Sequence, residues 1–278
     1  MTPPAAGVRT GFGDLDTLTT GLQKSDLVIL AARPSVGKTS FALNIAEHAA
    51  VKDRKSVGYF SLEMSKEQLV LRLLSSVSNI DSQRLRTGFL EELDFARIAP
   101  AMNSLSEAPI YIDDTPTITT MELRTKARRL QAEVGVDLII VDYLQLMQSS
   151  TTTRDANRVQ EVSEISRGLK ALARELKIPV IALSQLSRQP EMRESKEPRL
   201  SDLRESGSIE QDADLVMFLW REKERGSDDQ DQEGEVVNLK LAKHRNGPTG
   251  ETKLWFKKRQ TRFVSYAEES RYATAAYA

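Results

Sequence analysis

The chain has 278 residues, of which 40% are hydrophobic and 28% charged, enough apolar material for a sizeable core. Its 39 basic residues nearly balance its 40 acidic ones, which excludes a strong overall attraction to nucleic acid, so any such binding must use a local patch. The chain has no cysteine, no apolar run long enough for a bilayer and no secretory signal in residues 1–6, so we expect a cytoplasmic protein without disulfides or membrane contact.

Short apolar runs alternate along the chain with stretches of helical period. The predicted strands are Leu27–Ala32, Val57–Ser61, Ile110–Asp113, Leu138–Asp142, Val180–Ser184 and Leu215–Trp220. The predicted helices are Thr39–Val51, Leu69–Val77 (capped by Ser65), Glu91–Ser106, Thr120–Glu133 and Arg158–Leu176. Strands separated by helices are typical of βαβ units, so we expect an α/β fold whose mostly parallel sheet has helices on both faces.

The pattern changes near the C-terminus, where Val236–Lys243 and Lys253–Phe256 alternate apolar and polar residues around a Gly/Pro turn at Asn246–Gly250. This pattern predicts an antiparallel β-hairpin at the end of the sheet. Gln148–Asn157 and Gln189–Ser208 have the composition of mobile loops. We expect one domain over residues 11–266, with tails at residues 1–10 and 267–278.

A phosphate-binding loop is predicted between the first strand and the first helix. The segment Ala32–Thr39 reads Ala-Arg-Pro-Ser-Val-Gly-Lys-Thr, close to the G-x-x-x-x-G-K-[ST] pattern in the required strand–loop–helix context. Backbone N–H groups at a helix start attract phosphate oxygens, Lys38 would reach the β- and γ-phosphates of ATP, and the Thr39 hydroxyl would hold Mg²⁺. Alanine replaces the usual first glycine, and a chance Gly-Lys-Thr is the alternative. The candidate nucleotide-binding residues are Arg33, Pro34, Ser35, Val36, Gly37, Lys38, Thr39 and Ser40.

Three further polar residues follow predicted strands and so belong to the same sheet edge. Asp142 ends the most apolar strand and is a candidate second Mg²⁺ ligand, with a strand-end cap as the alternative. Glu63 could polarise the attacking water or simply favour the next helix dipole, and the residues alone leave these interpretations equal. Gln185 could sense the γ-phosphate or be a surface glutamine.

In this order, these motifs resemble the C-terminal RecA-like motor domain of the DnaB-type replicative DNA helicases, and the resemblance covers about residues 7–266. In that family alanine at the first position of the phosphate loop is usual. The matching segments are Gly7–Phe12, Ala31–Thr39, Ser61–Met64, Asp142–Leu146, Ser184–Arg188, Asp202–Asp214 and Ala242–Gly250. The resemblance implies a RecA-like P-loop ATPase fold and a chain that is part of a longer helicase.

The resemblance also implies a homohexamer with ATP bound between subunits. The residues acting within one subunit would be Lys38, Thr39, Glu63, Asp142 and Gln185, and those reaching the neighbour's γ-phosphate would be Lys243 and Arg245. Arg204, Glu205 and Gly207 would contact single-stranded DNA. Primase and a helicase loader would be partners of the full-length protein.

Other interpretations stay open on the residues alone. On the residues alone, a pair of solvated hairpin charges is the favoured interpretation of Lys243 and Arg245, and a loop salt bridge is the alternative for Arg204 with Glu205. The alternative functions are a RecA-like recombinase or repair ATPase, a DNA-binding module switched by nucleotide without unwinding, and a small-molecule kinase. Turnover stimulated by single-stranded DNA would exclude the switch.

Overall fold

A nine-stranded sheet forms the centre of the computed structural model, which describes residues 7–148, 158–187, 193, 195–203, 207–222 and 234–266. The strands are β1 Leu27–Ala32, β2 Val57–Ser61, β3 Ile110–Asp113, β4 Leu138–Asp142, β5 Val180–Gln185, β6 Leu215–Trp220, β7 Glu235–His244, β8 Gly250–Lys257 and β9 Arg262–Ser265. Their order is β3-β2-β4-β5-β1-β6-β7-β8-β9. The first six are mutually parallel, and β7, β8 and β9 extend the sheet antiparallel from β6.

Helices cover both faces of the sheet. They are α1 Gly13–Thr19, α2 Lys38–Glu47, α3 Lys66–Ser78, α4 Ser82–Thr87, α5 Glu92–Ser106, α6 Thr120–Val134, α7 Arg158–Leu176 and α8 Gly207–Asp212. Successive side chains of a strand point to opposite faces. In β1, Val28 and Leu30 therefore join one apolar cluster with α2 and α3, while Leu27 and Ile29 join the other with α6 and α7. Burial of both faces explains why the parallel strands are apolar throughout.

Local sequence signals account for the helix positions. Ser65 caps α3 as predicted: its hydroxyl accepts the Gln68 N–H, and the Gln68 side chain accepts the Ser65 N–H. The apolar face of α7 is buried from Val162 to Leu172, whereas Val159 is 42% exposed. The buried face of α7 therefore begins at Val162.

The C-terminal part is larger than the predicted hairpin. The hairpin is present as β7 and β8, and the expected apolar face of β7 is buried. A third antiparallel strand, β9, pairs with β8 and was not predicted. At four residues it is too short to show a convincing alternation. The helices α1 and α4, of seven and six residues, were missed for the same reason.

Several expectations concern segments only partly described. Of the predicted loops, residues 149–157, 189–192, 194 and 204–206 lie outside the described residues, but Gly207 and Ser208, at the end of the second loop, begin helix α8. Residues 7–10, assigned to a tail, lie against the domain, because Val8 pairs with Leu22 and the Arg9 guanidinium with Asp53. The boundaries at residues 10 and 266 stay predictions. Each helix in the described ranges is too short or too polar to cross a membrane.

Candidate nucleotide site

The predicted site residues converge at the carboxyl edge of the parallel strands. The strand register puts Ala32 beside Gln185 and Ser61 beside Asp142, so the ends of β1, β2, β4 and β5 meet. A cavity of about 520 Å³ opens there. Of the predicted residues it is lined by Arg33, Pro34, Ser35, Gly37, Lys38, Thr39, Ser40, Glu63 and Gln185, while Val36 is buried beneath the loop.

The backbone conformation of the phosphate loop explains why position 37 is glycine and why position 32, glycine in the common motif, can be alanine. Gly37 has φ +104°, and a Cβ there would lie 2.8 Å from the Phe263 ring, so only glycine is accommodated. Ser35 also has a positive φ, of 65°. Ala32, in contrast, is the last residue of β1 and pairs with extended neighbours on both sides. This position therefore needs no glycine, and the departure from the common motif has no structural cost.

Aromatic packing and one arginine hold the loop from below. The rings of Phe256 and Phe263 stack with centroids 4.2 Å apart, and the Phe41 ring meets Phe263 edge-on. The Arg221 guanidinium donates to the Ser35 carbonyl oxygen and lies 2.9 Å from the Glu235 carboxylate. None of these side chains was predicted to serve the site, because their contacts join distant parts of the sequence.

Asp142 is the buried centre of the site. One carboxylate oxygen, Oδ2, accepts hydrogen bonds from the Thr39 hydroxyl at 2.7 Å and from the Tyr59 hydroxyl at 3.1 Å. The other, Oδ1, lies 3.9 Å from Lys38 Nζ and accepts no hydrogen bond from the residues that the structure describes. A fully buried carboxylate oxygen without a partner is costly unless a ligand completes the site.

This donor set suits Mg²⁺. Mg²⁺ takes oxygen ligands and is usually held by one or two protein groups together with substrate phosphates and water. Thr39 Oγ1 and Asp142 Oδ1 are such groups. The hydrogen bond from Thr39 Oγ1 to the other carboxylate oxygen, Asp142 Oδ2, holds the two side chains together. No cluster of three or more acidic or histidine side chains forms a metal cage within the described part of the chain. The residues present therefore suit a metal bound together with nucleotide.

Burial also sets the electrostatics of the loop. Desolvation lowers the pKa of Lys38, and the charges of Asp142 and Glu63 oppose that shift. The Lys38 ammonium lies 4.3 Å from the centroid of the Tyr143 ring. The phenol of Tyr59, buried beside Asp142, has its pKa raised well above the ordinary value. Tyr59 is therefore a neutral donor that orients Asp142.

Glu63 and Gln185 flank the cavity on either side of β4. Glu63 is exposed in a turn held by the Ser61 hydroxyl, which donates to the Met64 carbonyl oxygen at 2.6 Å. The Gln185 backbone N–H donates to the Gln145 side-chain oxygen at 3.2 Å, and the Gln145 amide donates to the Gln185 carbonyl oxygen at the same distance. Gln145 thus joins the segment after β4 to the end of β5, a link that strand spacing could not show.

Lys243 and Arg245 lie at the opposite edge of the sheet. His244, between them, pairs with Leu215 at the start of β6, and the Arg245 backbone N–H donates to the Asp214 carbonyl oxygen at 2.8 Å. The six residues of β1 separate this edge from the phosphate loop, a distance of roughly 20 Å at about 3.3 Å per residue. Arg245 therefore cannot reach the nucleotide site of its own subunit.

Both cations are attached to helix α8. Lys243 Nζ donates to the carbonyl oxygens of Glu210 at 2.5 Å and Ala213 at 2.7 Å, and Arg245 Nη2 donates to the Gln211 carbonyl oxygen at 2.9 Å. Burial and the Arg245 charge lower the pKa of Lys243. Of the predicted DNA contacts, Gly207 is the first residue of α8, whereas Arg204 and Glu205 lie outside the described residues.

Asp26, a buried carboxylate at the same edge of the sheet as Arg245, should make the stability of the fold depend on pH. Burial and the neighbouring charge of Asp214 raise the pKa of Asp26 to about 6 from 3.8. The folded state thus binds this proton more tightly than the unfolded state, so the stabilising contribution is complete below about pH 4 and is lost as the pH rises through 6. Asp26→Asn should therefore stabilise the fold by about 1–2 kcal/mol at pH 8, with little gain at pH 4.5. Urea unfolding of both proteins at the two pH values measures this, and an equal difference at both would contradict it.

Comparisons with known proteins identify the family. The family described as DnaB-like helicase C terminal domain matches residues 7–265. The replicative DNA helicase DnaB of Geobacillus stearothermophilus is 55% identical over 259 residues, covering 93% of this chain and 56% of that protein. The replicative DNA helicase DnaC of Bacillus subtilis (strain 168) is 55% identical over 262 residues, with the same coverage.

Solved structures show the same fold. A DnaB-like replicative helicase, studied for its interactions with primase, superimposes with a TM-score of 0.86 at 38% identity, covering 94% of this chain and 62% of that one. A separately solved ATPase domain gives the same score and identity, and there the match covers 92% of the other chain. The chain spans about half the length of the curated relatives it matches, 56% of each of the two above. With the family match extending over nearly its whole length, the chain belongs to the DnaB-like helicase C-terminal domain family.

Proposed function

We propose that this chain is the ATP-hydrolysing motor of a replicative DNA helicase, which moves along single-stranded DNA and unwinds duplex at the replication fork. The observation that carries the proposal is the buried Asp142 carboxylate, which holds Thr39 at the phosphate loop and has a second oxygen beside Lys38 that no described residue hydrogen-bonds. Family membership supports the same activity. The motor unit is residues 11–266, working in the cytoplasm.

The residues of one subunit bind and orient ATP. The loop N–H groups and Lys38 hold the β- and γ-phosphates and offset the charge that develops on the leaving group. Thr39 and Asp142 would hold Mg²⁺ together with the phosphates, and the bound ion would supply positive charge that offsets the negative charge of the phosphates. Glu63 stands exposed at the cavity and orients the attacking water, accepting its proton. Gln185, at the end of β5, contacts the γ-phosphate and transmits its loss to the next loop.

The neighbouring subunit completes the site. Because Arg245 lies at the edge of the sheet opposite its own phosphate loop, it serves a nucleotide held by the adjacent copy, together with Lys243. The working form is therefore a homo-oligomer, a hexamer in the full-length protein. A cation supplied across an interface stabilises the transition state only when that interface closes, which couples hydrolysis to motion between subunits.

Single-stranded DNA is the substrate of the motor. Arg204 contacts its phosphates with the guanidinium charge, and Glu205 and Gly207 contact them through backbone N–H groups. Phosphate contacts carry no sequence information, as a motor on any strand requires. In the full-length protein, primase and a helicase loader are the further partners. A near-neutral chain can bind DNA in this way because copies of one loop converge in a ring.

Arg204→Ala should weaken binding of single-stranded DNA about equally for all sequences, and the salt dependence of binding should become shallower by about one unit of slope. The measurement is titration of fluorescent oligonucleotides of mixed, pyrimidine and purine sequence at several salt concentrations. A loss confined to one sequence would mean that Arg204 reads bases.

The function as a whole is tested by ATPase turnover with and without single-stranded DNA, measured together with mass in solution with and without nucleotide. We expect turnover that DNA stimulates and that requires an oligomer. Nucleotide binding without turnover would instead indicate a switch. Unwinding by the full-length protein separates a helicase from a strand-exchange protein.

A further inference from the structure

Asp214 is a buried carboxylate that the nucleotide site does not use. It lies two residues after α8 and immediately before β6, at the edge of the sheet where Arg245 emerges, and its side chain is 3% exposed. Its backbone is fixed to two neighbours: its N–H donates to the Leu27 carbonyl oxygen at 2.9 Å, and its carbonyl oxygen accepts the Arg245 N–H. Its position is thus set by the central strand.

The two carboxylate oxygens of Asp214 have different partners. Oδ2 accepts the Leu27 backbone N–H at 2.8 Å and the Lys170 ammonium from α7. Oδ1 lies 3.1 Å from Arg245 Nη1, while the other terminal nitrogen of Arg245 donates to the Gln211 carbonyl oxygen at 2.9 Å. The carboxylate is therefore oriented by two fixed donors, and its remaining oxygen is directed at the guanidinium.

Arg245 itself is held but accessible. Its side chain is 41% exposed, and it lines an open cleft of about 660 Å³ with cationic side chains from α6 and α7. Those side chains are Arg124, Arg167, Lys170 and Arg174. An arginine anchored on one side and open on the other can meet a phosphate without first ordering a long side chain, which lowers the entropic cost of the contact.

We propose that Asp214 is a positioning residue for Arg245: it holds the guanidinium in the orientation in which it meets the γ-phosphate bound by the neighbouring subunit. The inference rests on the proposed function, because it requires that Arg245 act across a subunit interface. Asp214 touches no nucleotide in this scheme. Its contribution is geometric, and displacement of a catalytic group by about 1 Å can lower a rate by about 100-fold.

The primary test is Asp214→Asn, which keeps the size of the side chain and removes its charge. We expect its kcat for ATP in the oligomer to fall about 10- to 100-fold with KM for ATP nearly unchanged, because the phosphate loop of each subunit is intact. The decisive readout is complementation by Lys38→Ala subunits, which have a dead nucleotide site and an intact Arg245. In mixed rings about one interface in four joins an intact site to an intact Arg245, so activity should return.

Two controls separate the possible failures. Arg245→Ala mixed with Lys38→Ala should also regain activity; if it does not, the proposed function is wrong and the inference falls with it. If that mixture recovers and the Asp214→Asn mixture does not, Asp214 acts on its own subunit and the inference alone is overturned. Asp94→Asn removes a comparably buried carboxylate on α5, where it is paired with Arg84, and should leave kcat unchanged.

A second variant covers loss of folding. Asp214→Glu keeps the charge and moves the carboxylate by one methylene, so a folded protein with reduced kcat and recovery on mixing is expected. Mass in solution shows whether each variant assembles, and thermal unfolding shows whether it is folded, so that kcat is compared only between folded oligomers. Wild-type or raised kcat in folded Asp214→Asn or Asp214→Glu oligomers would overturn the inference, since it would show that Asp214 does not direct Arg245 productively.

Discussion

Lys38→Ala should abolish ATP hydrolysis, lowering kcat by at least about 10²–10³-fold. The side chain of Lys38 is 12% exposed and faces the cavity between the phosphate loop and Asp142. Within the part of the chain that the structure describes, no other ammonium lies beside Asp142 at that depth. Removal of Lys38 takes away the buried cation beside Asp142, and a charge that stabilises a transition state is strongest where water is excluded.

Steady-state turnover at saturating ATP measures this effect, and filter binding of labelled ATP shows how much of it is lost affinity. Lys66→Ala is the matched control, because Lys66 is an exposed lysine at the start of α3 and outside the cavity. It should keep wild-type turnover. Wild-type turnover in Lys38→Ala would refute the assignment of the phosphate loop.

Much of the parallel half of the fold follows from local sequence. Short apolar runs that alternate with amphipathic helices are typical of strands buried on both faces of a covered parallel sheet, and the strand bounds of β1, β2, β3, β4 and β6 agree with those predicted. Such strands bring their carboxyl ends to one edge, so the approach of Asp142 to Thr39 could be expected from order along the chain alone.

The supporting contacts could not be predicted in this way. Tyr59 meets Asp142 across 83 residues, Arg221 meets Ser35 across 186, and Asp214 meets Leu27 across 187. Each depends on which strands become neighbours, and the strand order places β5 and β6 on either side of β1 although they lie far from it in sequence. That Ala32 needs no glycine could likewise not be predicted from the motif, because its extended backbone follows from its place at the end of strand β1.

The assignment of Arg245 to the neighbouring subunit combines information from the sequence with information from the structure. The family resemblance suggests such an arginine, whereas the residues alone favour a solvated hairpin charge. The structure adds that Arg245 leaves the sheet at the amino edge of β6, beside Asp214 and Leu27. A side chain there faces away from its own nucleotide cavity and toward any copy that stacks against this edge.

Arg245→Ala should therefore lower kcat of the oligomer by about 10³-fold, within the range known for arginines supplied across an interface, while ATP binding stays nearly unchanged. Arg245→Lys should recover only part of the rate, because an ammonium lacks the two-pronged geometry of a guanidinium. The control is Arg129→Ala, since Arg129 is 79% exposed and, among the described residues, is paired with Glu133 on its own helix.

The dependence on protein concentration makes the test specific for action across an interface. Wild-type turnover per subunit should rise as dilute protein assembles, and that of Arg245→Ala should stay flat although its mass rises equally. If Arg245→Ala kept full turnover in an oligomer of wild-type mass, the site would be complete within one subunit and action across the interface would be excluded. If Arg245→Ala failed to assemble, Arg245 would be shown to contribute to the subunit interface itself, in addition to any role in catalysis. Turnover of that mutant, covalently linked to a wild-type copy, would then report the catalytic part alone, because the link restores assembly at one interface.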